Sequence, residues 1–460
     1  MSESFATASP PSPEKPVMRE SLVTTLLGMT IVLVIMNTMM FNLALPDVSR
    51  EYQLTATATS WIVTGYSIVF AISSITYSRL SDFIPIRRLM VIAILSLSLA
   101  AITGYFSNSY LMLLLVRIVQ ASGAGAIPAL SLVLISRYVP MKRRGKAMAA
   151  VMSAASLGLG LGPVAGGAIV EYLGWHDLFL VTAITLLLLP FFLVLVPKEK
   201  PTKGSFDALG AVLIGIGTTG LLLYLTNHIV IALVVGLLSI LLFVLRIRTA
   251  ADPFVLPALF RNSTYLLLGA VGIVAYLCSF ATLFLMPQIL VNQYGLSAIG
   301  AGFVIFPGSI LAMVVSRLVG RIIDSRGNSQ IILFAPFLLL AAVLLFALLE
   351  TSGYIALLFV YMLLSVGFTF LSSSISNEMS RILQPSQIGS GLGLFQLLQF
   401  FSGAFGVAMT ASALGWQKQL SLSQAYSNIY WGLALVVLLG IGCAYSYLRG
   451  RSRRARVSVS

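Results

Sequence analysis

Long apolar runs, separated by short polar connections, fill the chain from residue 21 to residue 448. A helix that crosses a bilayer needs about 20 consecutive, mostly apolar residues. Fourteen runs meet that length, at roughly 21–45, 58–79, 88–106, 110–136, 146–171, 176–197, 207–226, 228–246, 263–290, 297–318, 329–350, 353–378, 388–415 and 425–448. Each predicts a spanning helix, the one open-ended structure that satisfies its own backbone in hydrocarbon. Residues 1–20, MSESFATASPPSPEKPVMRE, break the pattern. They are polar and proline-rich and lack the apolar core and cleavage site of a signal peptide, so they predict a disordered cytoplasmic tail.

Composition agrees with an all-α polytopic membrane protein. Hydrophobic residues make up 58% of the chain and charged residues only 9%, against about 25% charged in soluble domains. A soluble protein with one large core is excluded. The net charge of +14 raises the question of nucleic acid, and its placement answers it. With the N-terminus inside and every run crossing, the basic residues of the tails and of the inner loops (Arg79, Arg87, Arg88, Arg137, Arg143, Arg144, Arg321, Arg326 and Arg381 among them) all fall inside. Only Arg50 and Lys418 fall outside, and Arg117 falls within a span. This is the positive-inside rule, so the charge marks topology and no nucleic-acid partner is expected. The final run RGRSRRAR, in a basic cytoplasmic tail at 449–460, suits contact with anionic lipid. Cys278 and Cys443 both lie in apolar runs, with no metal-ligand spacing and no disulfide framework. No cofactor or metal is expected. An enzyme would need clustered His, Asp, Glu or Cys at membrane depth, and a sensor would need a soluble output domain. The sequence presents neither.

An internal repeat divides the chain. Ser78–Arg88, SRLSDFIPIRR, follows the second run, and Gly320–Gly327, GRIIDSRG, follows the tenth. Both read small–x–apolar–x–Asp followed by basic residues, with Asp82 and Asp324 242 positions apart. Two halves of six spans with a two-span insert fit that distance, and parallel repeats of this kind are a transporter architecture. The expected organisation is a six-helix bundle at 21–200, two inserted helices at 201–250 and a second six-helix bundle at 251–448.

These motifs resemble the 14-helix drug/proton antiporters of the major facilitator superfamily. That family carries Gly-x-Leu-x-Asp-x-x-Gly-x-x-Arg after helix 2. Leu80, Asp82 and Arg88 match it, while Ser78 and Pro85 stand where glycines are usual. Arg117–Gly125 is similar to the family's helix-4 motif, Gly158–Gly167 to its helix-5 antiporter motif, and Asn42–Pro46 to a further mark in helix 1. The resemblance extends to the class K and class L tetracycline efflux proteins of Gram-positive bacteria through LALPDV, RYVP–RGKA, GPVAGG, FD–G at Phe206–Gly210, DPF at Asp252–Phe254 and FPG at Phe306–Gly308. It implies a major facilitator fold with both termini cytoplasmic. It also implies a monomeric, multi-pass protein of the bacterial cytoplasmic membrane that exports tetracycline-like or other drugs against proton influx. Where the resembling exporters carry carboxylates in helices 1, 5 and 13, this chain aligns Asn37, Leu159 and Gly403. That departure weighs against tetracycline–metal chemistry and against the usual proton sites.

Candidate residues follow from position. Asp82, near the start of the third helix, meets the positive dipole end and has Arg87 and Arg88 within reach as partners. The set is a candidate latch, with Asp324 and Arg326 as its repeat; a solvated loop charge is the alternative. Arg117 lies about 10 Å deep in its helix at 1.5 Å per residue, so it must face the bundle interior. There it either orders the cavity and favours ionisation of a nearby carboxylate, or serves as a structural anchor. Gly158, Gly162 and Gly166 recur every fourth position beside Gly167, which lets a helix approach, and Pro163 bends the span. Tyr276, Phe280 and Phe284 share one face of the ninth span. They are candidates for a ligand wall with Gln288, Gln396, Gln399, Asn37 and Gln120 as polar contacts, although plain packing fits the same spacing. Glu378 closes the twelfth span after a serine-rich stretch and is the leading proton carrier, with Asp47 and Arg117 in the same expected set. His176 and His228 read as ordinary outer-loop residues. The reading is a proton-driven exporter of amphipathic small molecules working by alternating access. The alternative is a dedicated exporter of an endogenous metabolite or lipid on the same fold.

Overall fold

The computed structural model describes residues 19–457, apart from residues 55, 203, 228 and 418. Fourteen helices are long and apolar enough to span a membrane, and no strand occurs among the described residues. In chain order they are α1 (Glu20–Glu51), α2 (Ala56–Leu80), α3 (Ile86–Tyr105), α4 (Tyr110–Tyr138), α5 (Met141–Tyr172), α6 (Trp175–Leu195) and α7 (Ala208–Asn227). They continue with α8 (Val230–Thr249), α9 (Ser263–Asn292), α10 (Ala298–Arg326), α11 (Ser329–Leu349), α12 (Tyr354–Ile382), α13 (Ile388–Trp416) and α14 (Leu422–Val457).

Local chemistry sets several boundaries. Ser109 accepts from Met112 N–H at the start of α4, Ser297 from Gly300 N–H at α10, and Asn262 from Thr264 and Tyr265 N–H at α9. These side chains satisfy N–H groups that the first helical turn leaves open. Three elements depart from the apolar pattern. Helix α1 runs through Pro46 to Glu51, whose carboxylate accepts from Trp175 Nε1 at 2.6 Å. Helix α6 is interrupted by a 3₁₀ segment at Ile184–Leu188. Helix α14 continues to Val457, so most of the segment expected as a tail is helical. The expected N-terminal tail falls on residues 1–18, outside the described residues.

The repeat seen in sequence reappears in packing. In the first half α1 packs on α5, α2 on α4, α3 on α4 and α3 on α6; in the second, α9 packs on α13, α10 on α12, α11 on α12 and α11 on α14. Both sets follow one scheme. The halves meet through two equivalent pairs, α5 with α10 and α2 with α13, of which the first is the most extensive contact in the molecule. Helices α7 and α8 pair with each other, and α7 also touches α2 and α13.

The helix-5 glycines explain one close approach. Gly158, Gly162 and Gly166 all face α1, with a β-carbon on Gly158 falling 2.9 Å from Val32 O. Gly145, at the start of the same helix, faces the second half instead, and a side chain there would overlap Ile323 and Asp324. Gly145→Val is therefore expected to hold the halves apart at this end. Labelling of a cysteine placed at Ile323, which is buried against Gly145, should rise several-fold over the parent, and unchanged labelling would refute the role of this contact.

Candidate functional site

One end of the bundle carries most of the basic residues and both repeat aspartates. The loop at Ser81–Pro85 places Asp82 where its carboxylate accepts from Arg79 at 2.8 Å and from Arg137 of α4 at 3.1 Å. Arg137 also donates to Ser81 O at 2.7 Å. The N–H of Gly389, in the first turn of α13, adds to this set. Burial pushes the Asp82 carboxyl above its ordinary range, while Arg79, Arg137 and Gly389 pull it the other way. Asp324, near the end of α10, accepts from Gly145 N–H at 2.8 Å and Lys146 N–H at 3.1 Å. Each aspartate thus caps the first turn of a helix in the opposite half: Asp82 caps α13 and Asp324 caps α5. A carboxylate there meets unpaired N–H groups and the positive end of the dipole.

The partners differ from the sequence expectation. Arg88 and Arg326 are exposed, Arg87 is half-buried, and none of the three forms an ion pair with either aspartate. The residue that meets the start of α3 is Glu199, which accepts from Ile86 N–H at 2.6 Å and Tyr138 Oη at 2.7 Å. Pro85 separates Arg87 and Arg88 from Asp82 and turns them onto the next helix, whereas Arg79 lies one helical turn before Asp82, on the same side.

Toward the opposite end the halves part, and a cavity of about 640 Å³ opens between them. Its walls come from both halves, with Thr38, Tyr66, Phe70 and Leu159 on one side and Phe280, Phe400 and Trp416 on the other. Leu222 and Leu225 of α7 add a third wall. Phe70 and Phe400 meet edge-on with centroids 4.6 Å apart, and Tyr276 and Phe280 stack at 6.0 Å beside them. This aromatic layer floors the cavity toward the basic end, where α2 and α13 close together. There a β-carbon on Gly393 would crowd Ser78 and Ile75.

Of the expected ligand contacts, only Phe280 lines the cavity. Tyr276 is buried behind it against Phe368, with centroids 5.1 Å apart. Phe284 and Gln288 are half-buried and joined to each other, Gln288 Nε2 donating to Phe284 O at 3.1 Å. Gln396 and Gln399 are buried in the α13 packing. Asn37 supports the wall from behind: Nδ2 donates to Tyr66 Oη at 3.3 Å and Oδ1 accepts from Thr182 at 2.9 Å. The residues missed are Tyr66, Phe70, Phe400 and Trp416. Tyr66 and Phe70 stand four apart on α2, the same signal that selected Tyr276 and Phe280.

Arg117 is 1% exposed and has no carboxylate partner among the described residues. Its guanidinium lies 4.0 Å from the Tyr66 ring centroid and 4.2 Å from that of Phe41, and Nη1 donates to Gln120 Oε1 at 2.8 Å. The expected neighbouring acid is replaced by two aromatic faces and an amide, which hold a cation without neutralising it. Asp47 is corrected more simply. It forms an exposed pair with Arg50 at 3.2 Å at the outer end of α1 and does not line the cavity.

Glu378 is the one fully buried acid within a spanning helix among the described residues. Tyr447 Oη donates to it at 2.7 Å and Asn328 Nδ2 at 2.5 Å, and Arg381 lies 3.7 Å away. Two residues further along α12, Ser380 accepts from Arg144 of α5 at 3.3 Å, which joins this cluster to the other half. Two buried acids at helix ends were not singled out by sequence. Asp207 accepts from Arg246 at 3.1 Å and from Gly210 N–H at 3.0 Å where the inserted pair begins. Glu350, after α11, accepts from Ser423, and burial raises its carboxyl above the usual range. Cys278 and Cys443 are free thiols, and His228 lies outside the described residues.

Comparison with known proteins gives a consistent picture. The sequence profile of the Major Facilitator Superfamily matches residues 27–407. The chain is 25% identical to the riboflavin transporter RibZ of Clostridioides difficile over 425 residues, covering 89% of this chain and 93% of that protein. It is 25% identical to the lincomycin resistance protein LmrB of Bacillus subtilis over 396 residues, covering 81% of each. Among solved structures it superposes on the human organic anion transporter MFSD10 with a TM-score of 0.70 at 17% identity, over 94% of this chain and all of the other. The proton:xylose symporter XylE gives 0.69 at 13% identity, over 93% and 95%. These two likenesses are of fold.

Proposed function

The chain belongs to the Major Facilitator Superfamily, and we propose that it is a secondary active exporter of amphipathic small molecules, driven by inward proton flux through alternating access. The observation that carries this reading is one apolar cavity between two repeated halves, closed at the basic end by two reciprocal aspartate caps. Its volume suits a drug-sized ligand. The positive-inside rule assigns the basic end to the cytoplasm. The cavity then faces outward, as in an exporter at the moment of release.

In this reading the bundles at 21–200 and 251–448 rock as two bodies about the α5–α10 and α2–α13 pairs. The caps at Asp82 and Asp324 break when the cytoplasmic end opens. Glu378 carries the proton, because an acid buried inside the bundle and linked across the halves through Ser380 and Arg144 can change its surroundings as they move. The names of LmrB and RibZ support small-molecule cargo, and the aromatic floor suits a flat one. A second reading is a dedicated exporter of an endogenous metabolite. It is favoured by the neutral residues at Asn37, Leu159 and Gly403, and by a relative named for a vitamin. Tetracycline and lincomycin belong in the test panel beside such metabolites.

Reconstitution into proteoliposomes tests both readings. With an imposed pH gradient, at least one panel compound should accumulate, and adding it should release protons. Transport indifferent to the gradient refutes proton coupling, and no transport across a drug and metabolite panel refutes export.

A further inference from the structure

The geometry points to Arg117, acting through Tyr66, as the residue that sets the charge preference of the cavity: it accepts flat anionic or neutral ligands and rejects cations. This inference rests on the reading of the cavity as the cargo site. None of the described residues lining the cavity carries a charge, so no acid among them is available to attract a cation. Directly behind that wall lies a buried guanidinium, in contact with the ring of Tyr66, which does line it. An ionised group buried without a counter-charge is costly. Gln120 and two aromatic faces solvate Arg117, but among the described residues Nε finds no acceptor and no carboxylate offsets its field.

The consequence for a ligand follows from distance. Tyr66 is 1% exposed and shows the cavity only a sliver of its ring, so a ligand charge in van der Waals contact with that edge lies about 8 Å from the guanidinium, itself 4.0 Å from the ring centroid. At an effective dielectric constant near 20, that separation changes affinity by about tenfold to thirtyfold per unit charge. An anion gains this factor and a cation loses it. Asn37 fixes the Tyr66 hydroxyl, so the ring cannot easily turn aside.

The test is equilibrium binding to the purified full chain in lipid nanodiscs. Three xanthene dyes of one ring system (anionic, neutral and cationic) are titrated and followed by fluorescence anisotropy. In wild type the anion should bind more tightly than the cation by about a hundredfold or more, two unit charges apart. Arg117→Gln should reduce that ratio to near one, while the neutral dye, which reports an intact cavity, keeps its affinity within a few-fold. Arg117→Lys should keep the ranking, because it keeps the charge. Gln120→Glu serves where Arg117→Gln does not fold. It places a carboxylate on the guanidinium with almost no change of shape, and it too should level the ranking. Equal binding of anion and cation by wild type overturns the inference, as does an unchanged ranking in Arg117→Gln or Gln120→Glu. Binding of none of the dyes refutes the cavity as cargo site and the inference with it, whereas binding without a charge ranking refutes the inference alone.

Discussion

Asp82→Asn is expected to reduce efflux to background while the protein still inserts and accumulates in the membrane. The carboxylate holds Arg79 and Arg137 within its own half and caps α13 of the other. Removing its charge leaves Arg79 buried without a counter-ion, and breaking a buried pair costs about 3–5 kcal/mol. That cost falls mainly on the closed state, where the pair is buried; opening the cytoplasmic end to water would leave an exposed pair, which is worth little. A shift of this size moves a two-state equilibrium by a factor of about 10² to several 10³, enough to trap the transporter open to the cytoplasm. Drug accumulation in cells, set against the amount of protein in the membrane fraction, decides the matter. Wild-type efflux by Asp82→Asn would sink the latch. Asp324→Asn should be milder. Its carboxylate accepts two backbone N–H groups and has no arginine partner among the described residues, and an amide oxygen can still accept one of them.

The spans were legible because they depend on long apolar runs, which are a local property. The repeat was legible as two matching aspartates, and the packing of each half repeats it helix for helix. Their partners were not. Arg79 is one turn from Asp82, a spacing that brings side chains together on a helix, but Arg137 comes from 55 positions away. A single sequence gives no sign that α4 passes there. The cavity shows the same division. An aromatic at every fourth position marked Phe280. Phe400 could be placed only once α2 and α13 were known to meet. Gln399 precedes Phe400 by one residue and so points about 100° around the helix, into the packing against α9, where a β-carbon on Gly272 would lie 3.7 Å from its Nε2. Polarity within an apolar run marked it as a contact; the angle that excludes it depends on which face of α13 the other half leaves open.

Glu378→Gln is expected to keep ligand binding and lose pH-gradient-driven efflux. The change is nearly isosteric. The glutamine oxygen can accept from either Asn328 or Tyr447, and the Tyr447 hydroxyl can turn to accept from the new amide, so the fold should lose no more than about 1–3 kcal/mol. What disappears is the ability to change charge at a buried position. In the native protein an ionised Glu378 has Arg381 at 3.7 Å and two hydrogen-bond donors. Arg144, reaching from α5 to Ser380, ties this same segment of α12 to the first half. Opening the cytoplasmic end draws α5 away from α12 and breaks that tie. The field at Glu378 then changes with the state of the halves, which is the requirement for a proton to move with them. In everted vesicles the mutant should bind cargo within a few-fold of wild type, and adding substrate should release no protons. Proton release at the wild-type rate would show that the coupling acid lies elsewhere, with the buried Glu350 the next to examine.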